Sequence, residues 1–436
     1  MSASQTFAAG YLESLLAGQP GLPASPLARL NKLRAEAVDR VGVLTVPTIR
    51  DEEWRFTDLS LLTKLSFQPV WTAAGLKSAD VERFHVAEAT TRLVFVDGIH
   101  SPELSSGARD GGVVVANLFA AESVHAAAID LHLGRHAKFR DSVFAALNTA
   151  FLHDGALVIV PRDVSAAAPV HLLFIATQKG AASYPRCLLV AESGSAVTLV
   201  EDYVALQAET YLTNTVTEIA LGDRAHVDHI RVQRDSGQAF HIANCAVSLA
   251  NGSRYRSVSV ALGARISRYD LNVLHTAEGA ECTIDGLALI GERQLADTHS
   301  CIDHAKPNGV SRQLHKCIAG GAAHAVFNGK IIVRPDAQRT NSSQSSRNLL
   351  LTPKAHVDTK PQLEIFADDV KCAHGATVGQ LDSEALFYLT SRGLSNAAAV
   401  NLLTYAFGAE IIDRIPVASL KLWLERAVLE QTARKP

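Results

Sequence analysis

Glycine-centred turns recur along the middle of the chain. AESGSAVTLV, ALGDRAHVDHI, LANGSRYRSVSV and AEGAECTIDGLAL carry Gly194, Gly222, Gly252 and Gly279, at separations of 28, 30 and 27 residues. Each glycine follows a short run such as NTVTEIAL or NCAVSLA and precedes another such as AHVDHIRV or RYRSVSVAL, so two or more strands recur per unit. A unit of that size cannot bury its apolar face alone and has to stack on its neighbours. The pattern predicts a β-solenoid over about residues 155 to 370. Because glycine turns also suit hairpins, a β-sandwich is the second reading. Later units follow in HKCIAGGAAHAVFNGKIIV and LLLTPKAHVDTKPQLEIF, after THSCIDHAKPNG, which reads as an insertion that breaks the period.

Helical signals flank the strands. SPLARLNKLRAEAVDRVG offers Ser25 as N-cap, Pro26 at the first helical position, Leu27, Leu30, Leu33, Ala37 and Val41 on one face, and Gly42 as the stop. KFRDSVFAALNTAFLHDG spaces Phe139, Val143, Leu147 and Phe151 as a helix and hands over to the strand ALVIVP after Gly155. Helices return at EALFYLTSR, capped by Asp382 or Ser383 and ended by Gly393 in a left-handed conformation. Ser395 then opens NAAAVNLLTYAFGAEIIDRI, with Val400, Leu403, Phe407 and Ile411 on one stripe, and VASLKLWLERAVLEQ follows Pro416. These last helices serve as a cap over the final coil or as a docking surface for a partner. The expected division is an N-terminal helical region over 1–90, a β-helix core over 91–375 with a helical insertion near 138–153, and a C-terminal helical region over 376–436.

Composition excludes some classes of function. Forty-one basic residues against forty-four acidic ones give a net charge of -3, with no basic run that would track a phosphate backbone, so nucleic acid is not an expected partner. No apolar stretch approaches the ~20 residues of a membrane span, and the opening MSASQTFAAGYLESLLAGQP lacks the marks of a secretory signal. The expected location is cytoplasmic, with no membrane association. Cysteines at 187, 245, 282, 301, 317 and 372 form no CxxC pair and no disulfide framework, so most should be buried thiols.

Two groups of residues offer metal-binding chemistry. In ADDVKCAHGATVGQLD, Cys372 and His374 stand two apart and would share one face of a strand. They supply two ligands where a structural zinc or an iron–sulfur cluster takes four, so the rest must come from elsewhere. His299, Cys301, His304, His315 and Cys317 are a denser donor set, but their spacings match no tetrahedral signature and they read as polar residues of the exposed insertion.

RNLLLTPKAHVDTKPQLEIFADDVKCAHGATVGQLDSEALFYLTSRGL, Arg347 to Leu394, resembles the signature of the SufB/SufD family of iron–sulfur cluster assembly proteins. EEWRFTDLS, FVDGIHSPELS, LNTAFLHDGALVIVP and AVFNGKIIVRPDAQRT extend the resemblance over most of the chain. It implies a right-handed parallel β-helix between N- and C-terminal helical regions, in agreement with the repeat. It further implies a non-ATPase scaffold subunit without catalytic activity of its own, pairing with a SufB-like subunit through the β-helix. A SufC-like ABC-type ATPase would dock on the C-terminal helices, where Tyr388, Arg392, Val400, Leu403 and Phe407 are the candidate contacts. No tightly bound cofactor is expected; a transient iron–sulfur cluster would lie at the interface with the SufB-like chain, with His374 and Cys372 as candidate ligands from this one. The SufB pattern has His-Glu where Cys-Ala-His stands here, so SufB's sulfur-accepting role is not carried over. No phosphate-cradling loop is present, which leaves ATP to the partner. The alternative class is a β-helix polysaccharide lyase or hydrolase working with Glu364, Asp368 and Asp369.

Overall fold

Backbone pairing decides between solenoid and sandwich. In the computed structural model, which describes residues 3–25, 27–107, 112–121 and 123–434, strands from Ala156 to Gly379 alternate between two sheets. Leu212–Leu221 pairs with Phe240–Leu249, and that with Ile266–His275, parallel and residue for residue. A sandwich built of hairpins would pair neighbours antiparallel. Two strands make one turn, and among the described residues about eight turns stack into a parallel β-solenoid. Antiparallel pairing enters at the N-terminal end, where Val114–Asn117 borders Ala156–Val160. At the other end the two sheets finish on His356–Ile365 and Lys371–Gly379.

The repeat rests on a backbone conformation more than on glycine. The turn that passes from one sheet to the other holds one residue at positive φ: Asp163, Gly194, Arg224, Gly252, Gly279, Asn308 and Arg339 in succession. Each of these N–H groups donates to a carbonyl in the next turn, as Arg224 does to Asn251 and Asn308 to Gln338. Gly222 is not one of them. A Cβ there would stand 2.7 Å from the backbone nitrogen of Ser193, so it is small because two turns touch. The same conformational rule removes the expected insertion: Leu295–His304 and Val310–Ala319 are ordinary ten-residue strands. The glycine period breaks there only because Asn308 takes the left-handed position, which asparagine tolerates.

Inside the solenoid, alternate residues of both sheets meet in an apolar column that includes Leu189, Leu199, Ile219, Val227, Val247 and Leu271, all buried. After a first helix, Ala3–Leu16, comes the one that the sequence marks, which is Ala28–Val41, with Leu30, Ala37 and Val41 buried. It starts later than Ser25 suggests, because the Ser25 hydroxyl accepts the N–H of Leu27 (3.1 Å) and leaves Leu27 in the cap position. Pro26 lies outside the described residues. Val143–Ala150 is a helix buried along its whole length. It is fixed beside the buried Arg186–Glu218 ion pair, in which Glu218 also accepts N–H bonds from Gly134, His136 and Ala137.

The C-terminal helices Ser383–Ser391, Asn396–Ile412 and Ala418–Arg434 do not cover the final coil. Asp382 and Ser395 cap the first two, and Gly393 turns between them at φ +98. Ile411, Ile412, Leu420, Leu424 and Val428 pack against Val260, Leu287 and Ile318 on the flank of earlier turns. Polar contacts pin them there: Lys316 Nζ donates to the Phe407 carbonyl at 2.9 Å, and Arg414 pairs with Asp285 at 2.6 Å. The end of the solenoid stays open.

Candidate functional site

The register of the last strands places Cys372 and His374. Ser342 pairs with Cys372 and Gln344 with His374, in a ladder that continues unbroken through Gly375 to Gly379. No bulge intervenes, so period two holds and both side chains lie over the column of inward positions formed by Ser342 and Gln344. In every earlier turn such positions are sealed by the turn that follows. Here none follows: Cys372 is half-buried against the Ile331 and Val333 cluster, and His374 is exposed. Half-burial raises the Cys372 thiol above its ordinary pKa, opposed by a hydrogen bond with the backbone of Ser342. A thiolate ligand would therefore form together with metal binding rather than before it.

Beneath these two residues the interior turns from apolar to polar. Gln344 Nε2 donates to Gln313 Oε1 at 2.8 Å, and Gln313 Nε2 donates to Ser300 Oγ at 2.8 Å. His304 Nε2 meets Ser311 Oγ at 2.9 Å, and Ser311 meets Ser342 at 2.6 Å. Burial pushes the His304 and His315 imidazoles down to about 4, so both are neutral near pH 7. The Gln344 Oε1 atom has no hydrogen-bond partner among the described residues. This polar row was not found from the sequence, although NSSQSSRN carries it: Ser342, Gln344, Ser346 and Asn348 fall at alternate, buried positions of one strand.

The second donor set separates. His299 and Cys301 point outward on Leu295–His304, His304 points inward from the same strand, and His315 and Cys317 point inward from the opposite sheet. His299 and Cys301 line a cleft of about 530 Å³ between the sheet and the N-terminal segment, together with Glu53, Trp54, Arg268 and Lys330. His299 is held by ion pairs with Asp297 (3.1 Å) and Glu53 (3.4 Å). Burial opposes its charge most, but the Asp297 and Glu53 carboxylates together outweigh it and raise the His299 pKa. Desolvation pushes the Cys301 thiol up to about 11. Two of the three carboxylates of the lyase reading have other work: Glu364 pairs with Lys330 (3.6 Å) and Gln338 holds Asp368 (2.8 Å), while Asp369 closes the last turn through its backbone.

The candidate docking residues divide by exposure. Ser383–Ser391 buries no residue, and Phe387 is 74% and Tyr388 58% exposed, with Arg392 stacked over the Tyr388 ring at 5.3 Å. Val400 and Leu403 are half-buried. Phe407 is engaged with the solenoid, its ring lying 4.5 Å from Lys316 Nζ.

A parallel solenoid with an open, polar-lined end and flanking helices is the architecture to set beside known proteins. Residues 174–407 match the family described as SUF system FeS cluster assembly, SufBD core domain, and residues 10–172 match the SufBD protein N-terminal region. The chain belongs to the SufBD family of iron–sulfur cluster assembly proteins. Within that family it is similar to the SufD protein of Escherichia coli, at 32% identity over 381 residues, 86% of this chain and 87% of that one. A SufBD family protein of Synechocystis is 42% identical over 410 residues, covering 91% of this chain and 89% of its own length. A chloroplastic protein of Arabidopsis thaliana is 30% identical over 426 residues, 95% and 88% of the two chains.

Proposed function

We propose that this chain is a non-ATPase scaffold subunit of a SufBCD-type complex, and that its open last turn meets a SufB-like subunit. The observation that carries this reading is the position of His374: it stands over the interior column of the solenoid, exposed where every comparable position beneath it is sealed. Both edge strands of that turn leave backbone groups without a neighbouring strand, which favours a second chain. A nascent iron–sulfur cluster, as cargo, would take His374 and Cys372 from this chain and its remaining ligands from the partner. The polar row below them supports a hydrated interface rather than an apolar one.

The SufC-like ATPase docks on the outward side of the C-terminal helices. Phe387 and Tyr388 form an exposed apolar projection that, among the described residues, does not join the core, which supports this assignment. Phe407 contributes by anchoring the helix rather than by direct contact. The working location is cytoplasmic; among the described residues no helix is long and apolar enough to cross a membrane. Co-expression with SufB-like and SufC-like subunits tests the reading. Both should co-purify with this chain, and Phe387→Ser with Tyr388→Ser should reduce recovery of the ATPase while leaving the SufB-like subunit bound. Unchanged ATPase recovery with that variant folded would refute the docking site, and failure of both subunits to co-purify would refute the complex.

A further inference from the structure

His324 and His356 open neighbouring strands of one sheet and face each other in register. Their backbones are pinned, His324 N–H donating to the Gln294 carbonyl and His356 N–H to that of Ala323, each at 2.9 Å. Alternation puts Asp358, two residues beyond His356, on the same outer face. The two imidazoles lie 5.0 Å apart between centroids, and both aim Nε2 at one oxygen of Asp358: His324 at 2.7 Å, His356 at 3.1 Å. The three ligand atoms all fall within 4.8 Å of one another.

We infer that His324, His356 and Asp358 bind a divalent transition-metal ion on the outer face of the solenoid, at a site separate from Cys372 and His374. A tetrahedral ion with ~2.0–2.1 Å bonds holds its ligand atoms ~3.3 Å apart, so the observed spacings need only small side-chain movements to admit one. The backbone of both strands is already fixed, and the binding geometry costs little ordering entropy. Two imidazoles and one carboxylate suit Zn²⁺, Fe²⁺ or Co²⁺, whereas Ca²⁺ and Mg²⁺ take oxygen ligands. His356 is 65% exposed at its side chain, so the ion has a route in and keeps at least one position for water or another ligand. The candidate cluster residues face the interior from the other sheet, so the two sites do not share ligands.

The test is Co²⁺ titration of the full-length, metal-stripped chain, read by visible absorption and by the melting temperature. Wild type should bind at this site, with melting raised by the metal. His374→Ala should keep that response, whereas His356→Gln and Asp358→Asn should each weaken it at least ~10-fold, as expected when even supporting groups of a metal site cost that much. Because His356 is exposed, its variant should fold as wild type does, and circular dichroism of the metal-free protein checks this. A response retained in both triad variants, lost equally in His374→Ala, or missing from wild type at micromolar Co²⁺ would overturn the inference. Parallel titrations with Zn²⁺ and Fe²⁺ then rank the ions.

Discussion

Gln344 and His374 occupy the same step of neighbouring parallel strands, one turn apart, yet Gln344 is 3% exposed and His374 lies on the surface. One turn of the solenoid converts an interior position into an exposed one. The residues that line this transition are polar on the inside, which separates this end from the Val- and Leu-filled turns nearer the N-terminus.

The turn conformation yields a paired prediction. Gly194→Ala should destabilise the chain by ~1–2 kcal/mol, the cost of a side chain at positive φ, with an added clash because its Cβ would meet the Asp163 carboxylate. Arg224→Gly, at the equivalent position with φ 55, should be neutral or stabilising by up to ~1 kcal/mol. Chemical denaturation measures both; the opposite ranking would contradict the assignment of these two residues to one repeating turn.

Removing Glu218 strands Arg186. With both side chains fully buried, Glu218→Ala should cost ~3–5 kcal/mol and release the segment around Gly134 and Ala137 that it holds by N–H bonds. Arg186→Met combined with Glu218→Leu should recover much of that loss, because the uncompensated charge is gone. Denaturation midpoints of the single and double variants decide it, and an additive double variant would refute the coupling.

The buried histidines set a pH dependence. His315, held near 4 in the folded chain against ~6.5 unfolded, binds its proton only in the unfolded state between those values. Its contribution is therefore full above pH 6.5, is lost as pH falls toward 4, and amounts to on the order of 3 kcal/mol. Asp154 and Asp285, raised to about 6 by burial, act in the opposite direction over part of that range, so the comparison must be between variants. His315→Gln should flatten the slope of stability against pH between 6.5 and 4 relative to wild type; an unchanged slope would show that His315 is not buried in its neutral form.

The solenoid was legible because its backbone demands recur, even though only three of the four chosen glycines mark the demand itself. Gly222 serves a close contact instead, and Asp163, Arg224, Asn308 and Arg339 meet the demand without glycine, which is why a false insertion emerged near His304. The sandwich reading survived in the sequence because strand composition does not encode strand direction. Pairing of Cys372 with His374 followed from period two alone, and the register retains it. The Gln313–Gln344 contact and the His324–His356 pair were hidden for one reason: their members lie about 30 residues apart and meet only across turns. The terminal helices were legible as helices, but the face they bury, Gly408 and Ile412 against Leu287 and Ile318, depends on a solenoid flank that no helical period reveals.

The proposed role of His374 as a cluster ligand at the open end has a direct test. Iron and sulfide should be assayed in complexes purified anaerobically with a SufB-like partner, comparing wild type, Cys372→Ala, His374→Ala and Cys301→Ala. His374→Ala should assemble normally, since an exposed imidazole contributes little to the core, and should carry clearly less iron and sulfide than wild type. Cys372→Ala should lose less, and Cys301→Ala nothing. Undiminished iron and sulfide in the His374→Ala complex would rule out His374 as a cluster ligand, and a loss confined to Cys301→Ala would move the site to the cleft beside Glu53 and His299.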